Sequence, residues 1–302
     1  MPTRTNDHLD RTLAGRYRLL EELGRGSQGA TWRVADAFHP ERLLTLKLAW
    51  SRPDAGDAVV REFEALTRLT APHLAQVYDL GFVVPAQAQA LMPKQAPDEE
   101  PDDALAVYFT RDFVPGHAID RWLAELPGEA RLRAALAAAR QLVLALRVAH
   151  RAGLAHGDLK PDNVIVSGDA RAPMLSLIDF GLATRSASPR GQGTPVYMAP
   201  ELWRPRRSGG QWLLSDHYAL GALLFHLLSG VPPFVSSDLS ELAQLHLEQP
   251  PPALRVAGLS ARLLRTLQSL LAKTPAERPS LDELLDALDG DTPANVPERP
   301  RL

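Results

Sequence analysis

The 302-residue sequence contains no cysteine. Disulfides, zinc–thiolate sites and a cysteine nucleophile are therefore excluded. Lysine is scarce too. Only Lys47, Lys94, Lys160 and Lys273 stand among the 33 basic residues, and the rest are arginine. Such a bias fits a GC-rich genome. A compact ammonium and a planar guanidinium are not interchangeable at a phosphate, so positions that keep lysine are candidates for chemistry. No excess of one charge is present either. The formal net charge is −3, which gives no global basic field and argues against a nucleic-acid partner. Long hydrophobic runs are missing: the longest, Ala219–Leu228, contains His226 and is too short to cross a membrane. The first 20 residues carry Arg4, Asp7, Asp10, Arg11, Arg16 and Arg18 and no apolar signal-peptide core. The expectation is a soluble, cytoplasmic protein without a membrane segment in this chain. What is present is a 45% hydrophobic fraction, ample for a sizeable core.

Residues 1–16 read as a flexible lead-in. From Tyr17 to about Val84 the pattern is strand-like: Tyr17–Leu23, Ala30–Ala35, Leu43–Ala49 and His73–Phe82. One helix interrupts it, Asp57–Leu69, with Val59, Phe63, Leu66 and Leu69 on one face. Residues 85–104 combine four prolines, alanines, glutamines and an acidic run from Asp98 to Asp103, the composition of a disordered insert. Leu105–Phe109 resumes the strands. From Ala118 the chain reads as helices: Arg131–Arg151, Asp216–Leu228, Ser260–Ala272 and a last one opened by the capping box Ser280-Leu281-Asp282-Glu283 and running to Leu288. The expected division is a smaller, mainly β domain over 17–114 with the insert at 85–104, a larger helical domain over 115–288, and a proline-rich tail over 289–302.

Four motifs carry chemistry. Gly24-Arg25-Gly26-Ser27-Gln28-Gly29 would let the backbone approach phosphates closely. It is followed by the strand-like Ala30–Val34 rather than a helix, which turns the reading from a dinucleotide fold to a hairpin lid. Lys47 sits among apolar residues on a strand and needs a carboxylate. Glu62 is the favoured partner, with Glu64 as the alternative. His156-Gly157-Asp158-Leu159-Lys160-Pro161-Asp162-Asn163 is the most specific. Asp158 and Asn163 are close enough in sequence for a tight loop to turn both into one cleft. Asp158 suits a proton acceptor, Lys160 a phosphoryl-neutralising cation, and Asn163 a metal ligand. Finally, the hairpin pattern Val164–Val166 and Leu175–Ile178 leads into Asp179-Phe180-Gly181, where a carboxylate beside a glycine suits magnesium.

In this order, the motifs resemble those of a protein kinase of the bacterial eukaryotic-like (Hanks-type) serine/threonine class, over about residues 17–288. The resemblance extends to Gly193–Glu201, to Asp216 with Leu220-Gly221, and to Arg278-Pro279. It implies an α+β fold of two lobes, a small mainly β N-lobe with one key helix and a larger mainly α C-lobe. It implies ATP and Mg2+, with Mn2+ as an alternative ion, and protein substrates bearing Ser or Thr, this chain among them. It makes Asp158, Lys160, Lys47 and Glu62 the catalytic set and Asn163 and Asp179 the metal ligands. The nucleotide would meet Gly24, Gly26, Gly29, Thr31, Thr45, Lys47 and the hinge backbone from Asp112 to Val114. Glu201 would pair with Arg278, and Asp216 would brace the catalytic loop. Lys160 and Thr194 resemble Ser/Thr rather than Tyr specificity.

Four departures stand out. The family's usual arginine before the catalytic aspartate is Gly157, which removes a common receiver of an activation-loop phosphate. His-Gly-Asp also opens this loop in small-molecule phosphotransferases, but Lys160, Asp179-Phe180-Gly181 and the Thr194–Glu201 segment oppose that reading. Thr45 and Thr31 replace smaller or apolar residues around the base. Arg111 takes the position before the hinge, either on the face of Lys47 or, with the strand shifted by one residue, on the other. Beside an active kinase stands the reading of a pseudokinase, an ATP-shaped scaffold without turnover.

Overall fold

The computed structural model describes residues 12–26, 29–50, 56–92, 106–180, 194–204 and 212–291. The chain divides into two compact units, residues 1–68 with 75–114 and residues 69–74 with 115–302. Of the sequence expectations, residues 1–11, Ser27, Gln28, 93–105, 181–193 and 292–302 fall outside the described residues.

The first unit is built on an antiparallel sheet ordered β1-β2-β3-β4-β6-β5. Its strands are β1 (Thr12–Leu13), β2 (Tyr17–Gly26), β3 (Gly29–Asp36), β4 (Leu43–Trp50), β5 (Val77–Val83) and β6 (Ala106–Asp112). Because side chains alternate along a strand, the sheet has two different faces. Ala30, Trp32, Val34, Leu44, Leu46, Leu48, Trp50 and Tyr108 form one core. The opposite face carries Thr31, Thr45, Lys47, Phe109 and Arg111, and helix α1 (Gly56–Thr67) packs there, Phe63 lying 6.2 Å from the Phe109 ring. A β2–β3 turn holds Gly26 opposite Gly29.

Two sequence expectations change here. Residues 85–91 are not a disordered insert: Pro85–Leu91 is a helix, α2, with proline in its first turn. Ala88 and Met92, four residues apart, are fully buried in the core of the first sheet face. Nor is all of 1–16 a loose lead-in. Leu13 is fully buried, the Gln87 amide donates to Thr12 O at 2.8 Å, and the Arg16 guanidinium grips the Asp36 carboxylate through two 2.7 Å bonds. That cation holds the Asp36 carboxyl well below the usual range.

The second unit is helical, with a small sheet ordered β7-β8-β9 from β7 (His117–Ala118), β8 (Val164–Ser167) and β9 (Met174–Leu177). Its helices are α3 (Ile119–Ala124), α4 (Gly128–Arg151), α5 (Trp212–Ser229), α6 (Leu239–Leu247), α7 (Ala261–Leu270) and α8 (Leu281–Asp291). Helix α5 is apolar nearly all round, and it is buried accordingly from Ser215 to Phe225 except at Ala219. On α7 the leucines 263, 267 and 270 recur on the inward face, and Ser260 caps its start by accepting from the Leu263 amide at 3.1 Å. The capping box of α8 forms: Ser280 Oγ accepts from the Glu283 amide at 3.2 Å and Glu283 Oε2 from the Ser280 amide at 2.7 Å. The helix runs on to Asp291, three residues beyond the sequence reading.

Candidate active site

In the first unit, Lys47 Nζ lies 2.9 Å from Glu62 Oε2. Glu62 is 2% exposed, whereas Glu64 faces solvent, so of the two sequence candidates Glu62 is the partner. The register decides the face of Arg111. It stands opposite Thr45, as Phe109 stands opposite Lys47, so Arg111 and Lys47 share a face. Arg111 is buried there, at 5% exposure. Thr45 is buried between them in the sheet and Thr31 is half-buried opposite Lys47 on β3. The glycines divide by role. Gly24 has open space where a side chain would go, while a Cβ at Gly29 would collide with the Leu48 carbonyl oxygen. Gly29 is therefore required by the close approach of β4. At the end of β6 the Asp112 amide donates to Gln76 O at 2.9 Å and its carboxylate accepts from the Tyr78 hydroxyl at 2.6 Å. Val114 follows as the last residue of the unit.

In the second unit the loop after α4 folds around Asp216. One Asp216 oxygen accepts from the His156 amide at 2.7 Å and the other from the Gly157 amide at 2.9 Å. His150, at the end of α4, adds a 2.8 Å contact to the same carboxylate. Burial alone would raise the Asp216 carboxyl, but His150 and these donors outweigh it and hold it below its ordinary value. Gly157 adopts φ +80°, a conformation that glycine reaches without the Cβ penalty. His156 Nδ1 faces the Asp158 amide at 3.2 Å and Nε2 faces Ile178 O at 3.0 Å, which places the ring proton on Nε2.

This frame presents the Asp158 carboxylate. Oδ2 meets Lys160 Nζ at 2.9 Å and the Asn163 amide nitrogen at 3.2 Å. Oδ1 accepts from the Thr194 amide at 2.9 Å and its hydroxyl at 3.1 Å. Burial pushes the Asp158 carboxyl up, yet Lys160, with the Thr194 amide, brings it below its ordinary value. Asn163 also donates to Asp158 O at 2.8 Å, so its nitrogen side is committed and Oδ1 is the atom left for a cation. Its backbone oxygen accepts from the Ile178 amide at 2.9 Å, which brings Asp179 in as the next residue. Asp179 sits at φ +59°, unusual for a residue with a side chain, beside Phe180, whose ring lies 4.6 Å from that of His156. An amide oxygen and a carboxylate are the hard donors that Mg2+ takes, the remaining positions going to water and phosphate. The residues fit that ion.

The segment from Thr194 to Arg204 is fixed to the same unit at three points. Besides Thr194, the Tyr197 hydroxyl lies 2.8 Å from His226 Nδ1, and Glu201 accepts from Ser215 Oγ at 2.7 Å and from both terminal nitrogens of Arg278 at 2.7 Å. The sequence motifs located Asp158, Lys160, Asn163, Asp179, Lys47 and Glu62. They did not reveal His150, whose only sequence signal is its place one turn before the Ala152-Gly153 helix stop.

Two buried imidazoles make the second unit sensitive to acid. Burial, with His150 stacked 5.5 Å away, lowers His217 to about 4, and burial beside Lys273 lowers His246 to about 4. An imidazole free in the unfolded chain protonates near pH 6.5. Between those values the unfolded chain binds more protons, so stability is full above about pH 6.5 and falls as the pH drops towards 4. The melting temperature is expected to decline from pH 7 to 4.5, and less steeply in His217→Gln. Parallel profiles for the two proteins would remove His217 as a cause.

Comparison with known proteins places this geometry. Residues 17–288 match the protein kinase domain family. The chain is 32% identical to the serine/threonine-protein kinase PkaA of Streptomyces coelicolor over 92% of its length and 50% of that protein's. It is 35% identical to the DNA damage-responsive serine/threonine-protein kinase RqkA of Deinococcus radiodurans over 88% of its length and 38% of that protein's. The chain thus spans about half, or less, of the length of these two relatives. Among solved structures, the kinase domain of Mycobacterium tuberculosis PknI, as a cysteine-to-alanine mutant, aligns with a TM-score of 0.62 at 27% identity, over 93% of this chain and 96% of that one. With a family match over residues 17–288 and an α+β fold in agreement, the chain belongs to the protein kinase family.

Proposed function

We propose that the chain transfers the γ-phosphoryl group of ATP to Ser or Thr hydroxyls of protein substrates, its own residues included. The observation that carries this reading is the Asp158 carboxylate, oriented by Lys160, Asn163 and Thr194. In this reading Gly24, Gly26 and Gly29 let the β2–β3 turn close over the phosphates. Thr31 and Thr45 flank the base, and the Asp112 carbonyl and Val114 amide meet its edge. Lys47, held by Glu62, orients the α- and β-phosphates. Asn163 and Asp179 would hold Mg2+, which when bound neutralises charge on the phosphates. The substrate hydroxyl oxygen forms the new bond to the γ-phosphorus, the bond to the β–γ bridging oxygen breaks, and ADP leaves. Asp158 positions that hydroxyl and takes its proton, while Lys160 balances the charge of the transferring group. Catalysis of this kind is positioning and electrostatics. The anchored segment Thr194–Arg204 supplies a surface for a polypeptide rather than a small alcohol. Among the described residues no helix is long and apolar enough to cross a membrane, and a dependence on ATP suits a cytoplasmic site of action.

The test is Mg2+-dependent transfer of radiolabelled γ-phosphate to the chain and to a generic basic protein. Label on phosphoserine or phosphothreonine is expected, and its loss in Lys47→Met and in Asp179→Asn. Nucleotide binding without label would instead favour a scaffold. A second expectation concerns regulation. With glycine at 157 in place of an arginine, no cation at that position receives a phosphate on the loop before Glu201. Phosphatase-treated enzyme should keep at least about half its activity, by the same argument. Near-complete loss would show that Ser186, Ser188 or Thr194 must be phosphorylated.

A further inference from the structure

Arg111 has no part in the transfer chemistry, yet the strand register puts it on the face that the chemistry uses. On β6 it stands directly opposite Thr45 of β4, and Lys47 follows two residues along β4, opposite Phe109. Diagonal neighbours of this kind lie about 7–8 Å apart, within reach of long side chains. Lys47 is held by Glu62 at 2.9 Å. Arg111 lies one pair nearer the end of β6, 5% exposed, with Thr45 across from it 2% exposed. The backbone that follows Arg111 is fixed. The Asp112 amide donates to Gln76 O at 2.9 Å, and the Asp112 carboxylate accepts from the Gln76 amide at 3.1 Å and the Tyr78 hydroxyl at 2.6 Å.

We propose that Arg111 selects the base, and that by donating to guanine O6 and N7 it lets the chain take GTP as a phosphoryl donor beside ATP. The inference rests on the proposed transfer reading, in which Thr45 flanks the base and the Asp112 carbonyl and Val114 amide meet its edge. An adenine in that position turns N1, an acceptor, to the Val114 amide. Its 6-amino group, a donor, goes to the Asp112 carbonyl. The next polar atom round the ring is N7, just as the next residue back along the chain is Arg111. Thr45 lies across the ladder at the same level. Arg111 thus stands beside the purine edge that carries the 6-substituent and N7.

A guanidinium can only donate. On this edge adenine offers one acceptor, N7, and an amino group whose hydrogens oppose those of the arginine. Guanine offers two acceptors, O6 and N7, and arginine bound to both is the commonest base-specific contact a side chain makes. With O6 turned to Arg111, the guanine N1–H is the donor next in line for the Asp112 carbonyl, so that carbonyl keeps a partner. The fork matters as much as the charge, because a lysine ammonium is a point charge and does not reproduce a planar bidentate contact. Glutamine carries the opposite pattern, one acceptor beside a donor, and matches the amino group and N7 of adenine.

The experiment compares nucleotides within one protein. Two ratios are measured for the full chain, for Arg111→Gln and for Arg111→Lys: kcat/KM with GTP against kcat/KM with ATP, and the calorimetric affinity for GDP against that for ADP. A fraction that fails to fold lowers both terms of each kcat/KM ratio alike, so the comparison survives a weakened variant. The parent chain should use GTP within about tenfold of ATP. Arg111→Gln should shift both ratios towards adenine by about 5–150-fold, the discrimination that a two-bond base contact supplies. Arg111→Lys should shift them in the same direction. A parent preference for ATP of more than about tenfold, or ratios that Arg111→Gln moves by less than about fivefold, would overturn the proposal. Label from neither nucleotide would count against the transfer reading instead, and the GDP-to-ADP affinity ratio would still decide the role of Arg111.

Discussion

Replacing Asp158 with alanine is expected to lower phosphoryl transfer at least about a hundredfold, the low end of what a positioned proton acceptor contributes. That factor corresponds to about 2.7 kcal/mol of transition-state stabilisation. Nucleotide affinity should change little, because in the proposed arrangement Asp158 serves the incoming hydroxyl and Lys47, Asn163 and Asp179 serve the nucleotide. The carboxylate is not a strong base. Lys160 at 2.9 Å and Thr194 at 2.9 and 3.1 Å keep it ionised, and its pKa stays below the ordinary value in spite of burial. Its work is therefore to orient the hydroxyl and receive a proton late. Asp158→Asn separates the two parts, since the amide preserves the shape and removes the charge. Single-turnover rates with saturating ATP make the measurement. If Asp158→Ala transfers phosphate within about threefold of the parent, its assignment as proton acceptor is wrong.

Much of this site was legible in the sequence because its chemistry is local. Asp158, Lys160 and Asn163 lie within six residues, and one tight loop brings them together whatever the rest of the chain does. The pairing of Lys47 with Glu62 crosses 15 residues, yet strand and helix periodicity narrowed it to two carboxylates. The face of Arg111 needed more. A strand reads the same shifted by one residue, and only the observed pairing of Arg111 with Thr45 fixes it beside Lys47. Composition misled at residues 85–91. Prolines, alanines and glutamines read as disorder when averaged over 20 residues, whereas Pro85 at a first turn and Ala88 and Met92 four apart are the marks of a short helix with one buried side. That helix is held by tertiary contact, with Met92 fully buried in the sheet core and Gln87 bound to Thr12, and such contacts leave no trace in local sequence. His150 was missed for the same reason: its partner Asp216 lies 66 residues away.

Arg278→Ala should be the most destabilising single change in the second unit, by about 3–5 kcal/mol. The side chain is completely buried, and each part of its fork is used. Its two terminal nitrogens meet the two Glu201 oxygens at 2.7 Å, one also meets Leu214 O at 2.6 Å, and Nε meets Ala272 O at 3.0 Å. The guanidinium also lies over the Tyr218 ring, 5.1 Å from its centre. Alanine would strip the mostly buried Glu201 carboxylate of its counter-charge, leaving it Ser215 Oγ, and would take a donor from Leu214 O and Ala272 O; the buried charge without its cation is the main source of the cost. Lysine should rescue little, since one ammonium cannot reproduce the planar fork. By contrast Arg140, whose pair with Asp289 is 28% and 46% exposed, should cost no more than about 1 kcal/mol when truncated. The origin of the effect can be separated by removing both charges: Glu201→Met with Arg278→Met should be less destabilised than the sum of the single changes, because an apolar pair strands no charge. Thermal unfolding reads the result, and for a domain of this size the Arg278→Ala transition should fall by roughly 6–20 °C. A shift no larger than that of Arg140→Ala would mean that Glu201 and Arg278 meet without holding the fold together, and that the anchoring of Thr194–Arg204 rests on Asp158 and His226 instead.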